Sequence, residues 1–179
     1  MDPISVAGAA YSAVTSFGAV SHALDRTRNV SIQISNFSNF IFTDPRTHIP
    51  KGYCKHPPRP TLRKQEKDEC SFSKTPLSVF GVEGILTYDV LSNEKECVGK
   101  LAIKFSVPHS FYDYRFALGF CETNIDIKNI DLGVGEKGKG RVVTCSEHGI
   151  LVKGTMSGGG DSVMIIELWN EDAFPDVAN

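Results

Sequence analysis

CVGKLAIKFSV, residues 97–107, carries a two-residue repeat. Cys97, Gly99, Leu101, Ile103, Phe105 and Val107 fall on one side. Val98, Lys100, Ala102, Lys104 and Ser106 fall on the other. Successive side chains of an extended chain point to opposite faces, so this pattern predicts a half-buried β-strand.

The pattern recurs on both sides of that stretch. SNEKE (92–96) is turn-rich and joins it to an apolar run at 78–90, predicting a hairpin. Val30, Ile32 and Ile34 alternate with Ser31, Gln33 and Ser35, and further strand-like runs lie at 39–43, 115–121, 141–145, 149–156 and 162–170. Many short strands with a single clear helical segment predict a mainly β fold, a β-sandwich over residues 29–170. The 179 residues, 41% hydrophobic, suit one domain (1–179) with a substantial core. Residues 44–76, Pro-rich and then charge-rich, read as a long solvated loop with short extended pieces, with a binding role as the alternative.

The one helical segment is VAGAAYSAVTSFGAVSHAL (6–24), which has no Asp, Glu, Lys or Arg. Val6, Ala10, Ala13, Phe17, Val20 and Leu24 form one apolar stripe at helical spacing over residues 4–24. Pro3 suits the first turn, and Asp25-Arg26-Thr27-Arg28 marks the exit. As a helix residues 4–24 are about 31 Å long at about 1.5 Å per residue, close to a hydrocarbon core of about 30 Å. Its Ser, Thr and Gly dilute it for a lone span, but they can border water or a neighbouring helix. Insertion in an oligomer and docking on the sandwich both fit the composition. The start Met1-Asp2-Pro3 lacks the basic region of a standard signal peptide.

Charge and motif spacing exclude several functions. A formal charge of −2 gives no bulk attraction to nucleic acid, so no nucleic-acid partner is expected. GVGEKGKG (133–140) resembles a phosphate loop, yet puts Gly140 where Ser or Thr is needed and runs into a strand-like segment, so a flexible hairpin loop is expected. SFSK (71–74) matches Ser-x-x-Lys without a supporting motif. Cys145 and His148 read as a structural thiol beside a surface histidine. His22, His48, His56, His109 and His148 offer no paired metal-ligand spacing. No catalytic residue, metal or cofactor is expected, and no enzyme. The five cysteines (54, 70, 97, 121, 145) fit reduced thiols, with a Cys54–Cys70 disulfide left open. Asn29-Val30-Ser31 and Asn36-Phe37-Ser38 match the glycosylation sequon.

FSVPHSFYDYRFALGF (105–120) concentrates Phe105, His109, Phe111, Tyr112, Tyr114, Phe116 and Phe120 around Pro108. Such rings suit a membrane interface or a cage for a quaternary ammonium, or else pack inward.

Four motifs together resemble the actinoporin-like pore-forming cytolysins, in particular their vertebrate, fish-like branch. They are SVAGAAYSAVTSFGAV (5–20), GYCKHPPRP (52–60) followed by FSKTP (72–76), VFGVEGILTYDV (79–90), and FSVP (105–108) with Tyr114 six residues after its proline. The resemblance implies an actinoporin-like β-sandwich with an N-terminal amphipathic helix packed on it. It implies a secreted protein, soluble until it meets a target cell membrane, with cytoplasmic storage as the alternative because no standard signal peptide is visible. The protein would bind a phosphocholine- or sphingomyelin-type headgroup, form a homo-oligomer on the membrane and insert the helix to line a pore. The headgroup site would use Ser106, Pro108 and Tyr114, with Phe111 and Phe116 as interfacial aromatics and Lys51-Gly52 in place of the family's Ser-Gly pair. Glu83 stands where the family has an apolar pocket residue. ETNIDIKNIDLGVGEKGKG (122–140) has none of the tyrosines that complete the family's choline cage, and no Arg-Gly-Asp triplet occurs. The alternative is a non-lytic, lectin-like module that binds lipid or glycan.

Overall fold

A computed structural model of the chain describes residues 28–109 and 113–173. The strands are β1 (Asn29–Asn36), β2 (Ile41–Lys51), β3 (Tyr53–His56), β4 (Thr61–Leu62), β5 (Lys67–Ser73), β6 (Val82–Leu91), β7 (Cys97–Val107), β8 (Arg115–Cys121), β9 (Glu136–Lys137), β10 (Val143–Glu147), β11 (Ile150–Met156) and β12 (Asp161–Asn170). They form two six-stranded sheets, ordered β10-β11-β12-β1-β5-β3 and β4-β2-β6-β7-β8-β9. The mainly β, two-sheet architecture expected from the alternation is present. The helix expected at residues 4–24, and with it Val6, Ala10, Ala13, Phe17, Val20 and Leu24, lies outside the described residues.

The core follows from the period of two. Val30, Ile32 and Ile34 of β1 and Met164, Ile166 and Leu168 of β12 face Leu101, Ile103 and Phe105 of β7 and Leu86, Tyr88 and Val90 of β6, all buried in one cluster. Phe72 and Phe105 meet across the sheets, with ring centroids 4.8 Å apart. The expected hairpin closes through Ser92 N–H to Glu96 O at 2.8 Å, joining β6 to β7. The glycine-rich 133–140 segment is a strand connection, with Gly133, Gly135 and Gly140 at positive φ and β9 paired to β8. Residues 122–135 carry no helix beyond the single 3-10 turn Ile127–Asn129. Ile125, Ile127, Ile130 and Leu132 lie against Ile85 and Ala102 on the outer face of the β6–β7 sheet, a second small core.

Two expectations need correction. The segment 44–76 is not mainly loop: β2 continues to Lys51, and β3, β4 and β5 follow. β5 is internal, hydrogen-bonded to β1 on one side and β3 on the other. Its inward Asp68, Cys70 and Phe72 alternate with Lys67, Glu69 and Ser71, the last of these also buried. Asp68 is satisfied by Tyr88 O–H at 3.0 Å and by Arg59 N–H at 2.8 Å, so a carboxylate occupies a core position. The run 78–90 is not strand throughout, since β6 begins at Val82 and residues 78–81 form a bend.

All five thiols are free, so Cys54 and Cys70 are not bridged. Burial, then the nearby Asp68 carboxylate, pushes the Cys70 thiol up. Burial, then Glu147, pushes Cys145 up to about 11. A reactive thiol needs the opposite shift, so both are held in the inert protonated form. Neither sequon asparagine is available at the surface. The Asn29 side chain donates to Asp161 Oδ1 at 3.0 Å and accepts from Ser73 Oγ at 2.6 Å. Asn36 is 0% exposed. Its amide donates to Phe40 O (2.8 Å) and Leu62 O (3.2 Å) and accepts from Ser38 N–H (3.0 Å) and Ser38 Oγ (2.7 Å).

Replacing Asn36 with Ala strips four partners at once and strands buried carbonyls. Asn36→Ala is therefore expected to lower stability by about 3 kcal/mol, read as a drop in the urea midpoint with an unchanged denaturant slope.

Candidate functional site

One end of the β4-β2-β6-β7-β8-β9 sheet carries a row of residues set in register. Lys51 of β2 pairs with Glu83 of β6, Glu83 with Ser106 of β7, Ser106 with Arg115 of β8, and Arg115 with Lys137 of β9. Lys51 Nζ lies 2.9 Å from a Glu83 carboxylate oxygen. Arg115 is braced by Asp113 Oδ1 at 2.7 Å and by Gly135 O at 3.2 Å.

Above the Lys51–Glu83 pair opens a cleft of about 310 Å³, walled by Val79, Phe80 and Gly81 on one side and Ser106, Pro108 and His109 on the other. Pro108 ends β7 because it cannot donate to the next ladder position. The opposite wall depends on Gly81, where a Cβ would overlap the Val107 carbonyl oxygen. Glycine is thus the residue that lets the 78–81 bend lie against the end of β7. Ser78 shapes the bend, with its N–H on Thr75 O at 3.1 Å and its Oγ accepting from Phe80 N–H at 3.1 Å. Lys51 Nζ also sits 5.9 Å from the Phe80 ring centroid, within the range of cation–π attraction.

The rim beside this cleft is apolar. Leu77, at φ +61, is fully exposed, and Val79 and Phe80 are 71% and 60% exposed. Three large apolar side chains on one short bend form a patch that a soluble surface seldom carries without a partner. Val79 and Phe80 were not foreseen as a rim because SVF (78–80) has the composition of the start of the β6 strand. Pro76 and Gly81, which bracket the bend, are the signal that could have separated it from the strand.

Of the residues expected at a headgroup site, Lys51, Ser106 and Pro108 line the cleft. Gly52, at φ +94, packs beneath it against Val82 and Ser73. Phe111 lies outside the described residues. Phe116 is corrected: it pairs with Phe105 on the inward face and is 1% exposed, so its ring belongs to the core and cannot meet an interface. Tyr114 is also buried, and its hydroxyl accepts from Arg28 Nη1 at 3.4 Å. Of the other rings in 105–120, Phe120 is half-buried edge-on to His148. Inward packing, one of the readings open from composition, accounts for Phe105, Tyr114 and Phe116. The missing tyrosines of 122–140 also acquire a structural counterpart, since that segment spends its side chains on the isoleucine-rich outer core. Among the described residues, no cluster of His, Cys, Asp or Glu could hold a metal ion.

Gly81→Ala is expected to push the 78–81 bend off the β7 terminus. The outcome should be a stability loss of about 1–3 kcal/mol, typical of overpacking, with amide shift changes concentrated at Val107, Pro108-adjacent His109 and Val82 in NMR spectra.

No family model matches the sequence, and no curated protein matches it. A solved structure does share its architecture. The crystal structure of the lipid binding protein Nakanori is similar over 88% of this chain and 78% of its own, with a TM-score of 0.72 at 10% identity. The wild-type lectin of Xerocomus chrysenteron aligns over 79% of this chain and 99% of its own, with a TM-score of 0.45 at 8% identity. The chain is thus a β-sandwich of the fold that Nakanori adopts.

Proposed function

We propose that this chain is a membrane-binding protein that docks with the Lys51–Glu83 cleft and the Leu77–Phe80 rim against the lipid surface. One observation carries the reading: a zwitterionic ion pair and three exposed apolar side chains share one end of the sandwich. A phospholipid headgroup of the phosphocholine type is the complementary zwitterion. Its phosphate meets the Lys51 ammonium, with Arg115 and Lys137 further along the row, and its quaternary ammonium meets Glu83 and the Phe80 face. Glu83, which departs from the actinoporin pattern, attracts the ammonium here by its charge, where an aromatic cage does so through the quadrupole of its rings. The apolar rim enters the acyl boundary while the charges remain at headgroup depth, the arrangement of an interfacial anchor. The fold shared with a protein described as lipid binding supports the same direction.

Residues 4–24 then insert from several copies of the chain and line a pore. The support for this step is the sequence itself, an uncharged stripe of suitable length with hydroxyl and small side chains for helix–helix and water contact. The site of action is a target membrane met from solution.

Co-sedimentation with phosphatidylcholine–sphingomyelin vesicles and release of a trapped dye test the two steps separately. Leu77→Ser with Phe80→Ser should weaken vesicle binding by at least about tenfold, since each apolar anchor contributes about 1.5–3 kcal/mol when buried. Ala13→Asp should spare binding and abolish dye release, because an acid at mid-helix costs about 2.5–3.5 kcal/mol on insertion. Wild-type protein that stays in the supernatant would refute docking. Undiminished release by Ala13→Asp would refute insertion of this helix.

A further inference from the structure

A second cleft, of about 520 Å³, opens on the outer face of the same sheet, on the far side of the small isoleucine core from the Lys51–Glu83 site. Its floor is the Asp89–Lys100 pair, facing residues of β6 and β7 joined by a hydrogen bond and an ion pair. The Lys100 side chain is only 9% exposed. Such a pair contributes little net stability once its desolvation is counted, and the isoleucine-rich packing next to it shows that this face can be covered without charge. The pair leaves charged groups at the base of an open cleft.

The walls add further polar groups, of which Asp126 also accepts from Lys128 N–H at 3.0 Å. Thr87 is 2% exposed and its hydroxyl has no hydrogen-bond partner among the described residues. Among the described residues no fully buried side-chain polar atom is unpartnered, so Thr87 Oγ1 reaches the cavity. Beside it, Arg46 is exposed and forms no ion pair among the described residues. It is placed opposite Thr87 by the irregularity at Asp44-Pro45, where Asp44 takes φ +50. Asn124 and Asp126 close the mouth from the 123–130 segment.

The formal charges of Arg46, Lys100, Asp89 and Asp126 cancel. A phosphate would meet two carboxylates, and a cationic ligand two cations. A neutral molecule rich in hydroxyls, each both donor and acceptor, meets a partner for either role, while the aliphatic ledge of Ile125 and Ile127 suits the C–H face of a pyranose ring. We infer that this cleft is a carbohydrate-binding site that takes a neutral hexose, separate from the membrane-docking end.

Chemical-shift titration of the full chain with glucose, galactose, mannose and N-acetylglucosamine tests it, with inorganic phosphate as the competing probe. At least one sugar should saturate with a dissociation constant of about 1 mM, shifting the Ile125, Ile127 and Thr87 signals. Arg46→Ala and Thr87→Val should each weaken that sugar by about fivefold or more with an unchanged melting temperature, since each removes one hydrogen-bonding group. The Leu77→Ser, Phe80→Ser variant should bind it as the wild type does, which keeps this outcome independent of vesicle binding. Absence of saturable shifts with every sugar, shifts mapping to another surface, or saturation by phosphate alone would overturn the assignment.

Discussion

The structure depends on β1 being hydrogen-bonded on both edges, to β5 antiparallel and to β12 parallel. The parallel pair joins Asn29 to Asp161 and Asn36 to Leu168, so the first described strand closes only when the last has formed. Buried asparagines stand at both ends of this strand. Asn29 ties it to Asp161 and Ser73, and Asn36 ties it to the turn at Ser38 and to β4 through Leu62. A parallel pair lacks the hairpin that would fix its register locally, and these side-chain amides supply that fixing at long range. The cost is a contact map dominated by distant pairs, the topology that slows folding of β-proteins.

From that frame the two clefts follow as properties of one sheet. β6 and β7 present Glu83 and Ser106 at one end of their shared outer face and Asp89 and Lys100 near the other. The stretch between them is covered by apolar side chains of 125–132. Lys104, opposite Ile85 in the middle of the strip, turns its ammonium away to Gly133 O at 2.8 Å. The inner faces of the same strands are uniformly apolar apart from Tyr88, whose hydroxyl is committed to Asp68. Burial, then Asp68, pushes the Tyr88 phenol up, so it serves as a neutral donor at any ordinary pH.

The parts of this arrangement legible in the sequence were those in which one strand face is apolar and the other polar. Residues 99–107 and 30–34 show that contrast and lie as read, whereas the register shift opposite Leu91 leaves Cys97 exposed and packs Val98 against the core. β5 was hidden because its inward positions include an aspartate and its neighbours are charged, so composition masked the alternation that burial obeys. Phe116 and Tyr114 were misplaced for a different reason. A ring beside an interface and a ring in the core have the same composition, and only the pairing of Phe116 with Phe105 decides between them. Lys51, Ser106 and Pro108 were identified as site residues and do line one cleft, yet Val79 and Phe80 were absorbed into a strand that starts later and Leu77 was not singled out. The polar cleft at Arg46 and Lys100 had no sequence signature, since its groups come from strands and a connection distant along the chain.

Arg28, the residue that leads into β1, makes hydrogen bonds well away from its own strand. Its guanidinium donates to His109 O at 3.1 Å and to the Tyr114 hydroxyl at 3.4 Å, in space left by the absent side chain of Gly160. His109 and Tyr114 flank the connection from β7 to β8, and His109 is itself a wall of the cleft. The point where residues 1–27 join the sandwich is therefore mechanically tied to the rim of the site. Displacing Arg28 would thus break its bonds to His109 and Tyr114 as well as pull on the first strand.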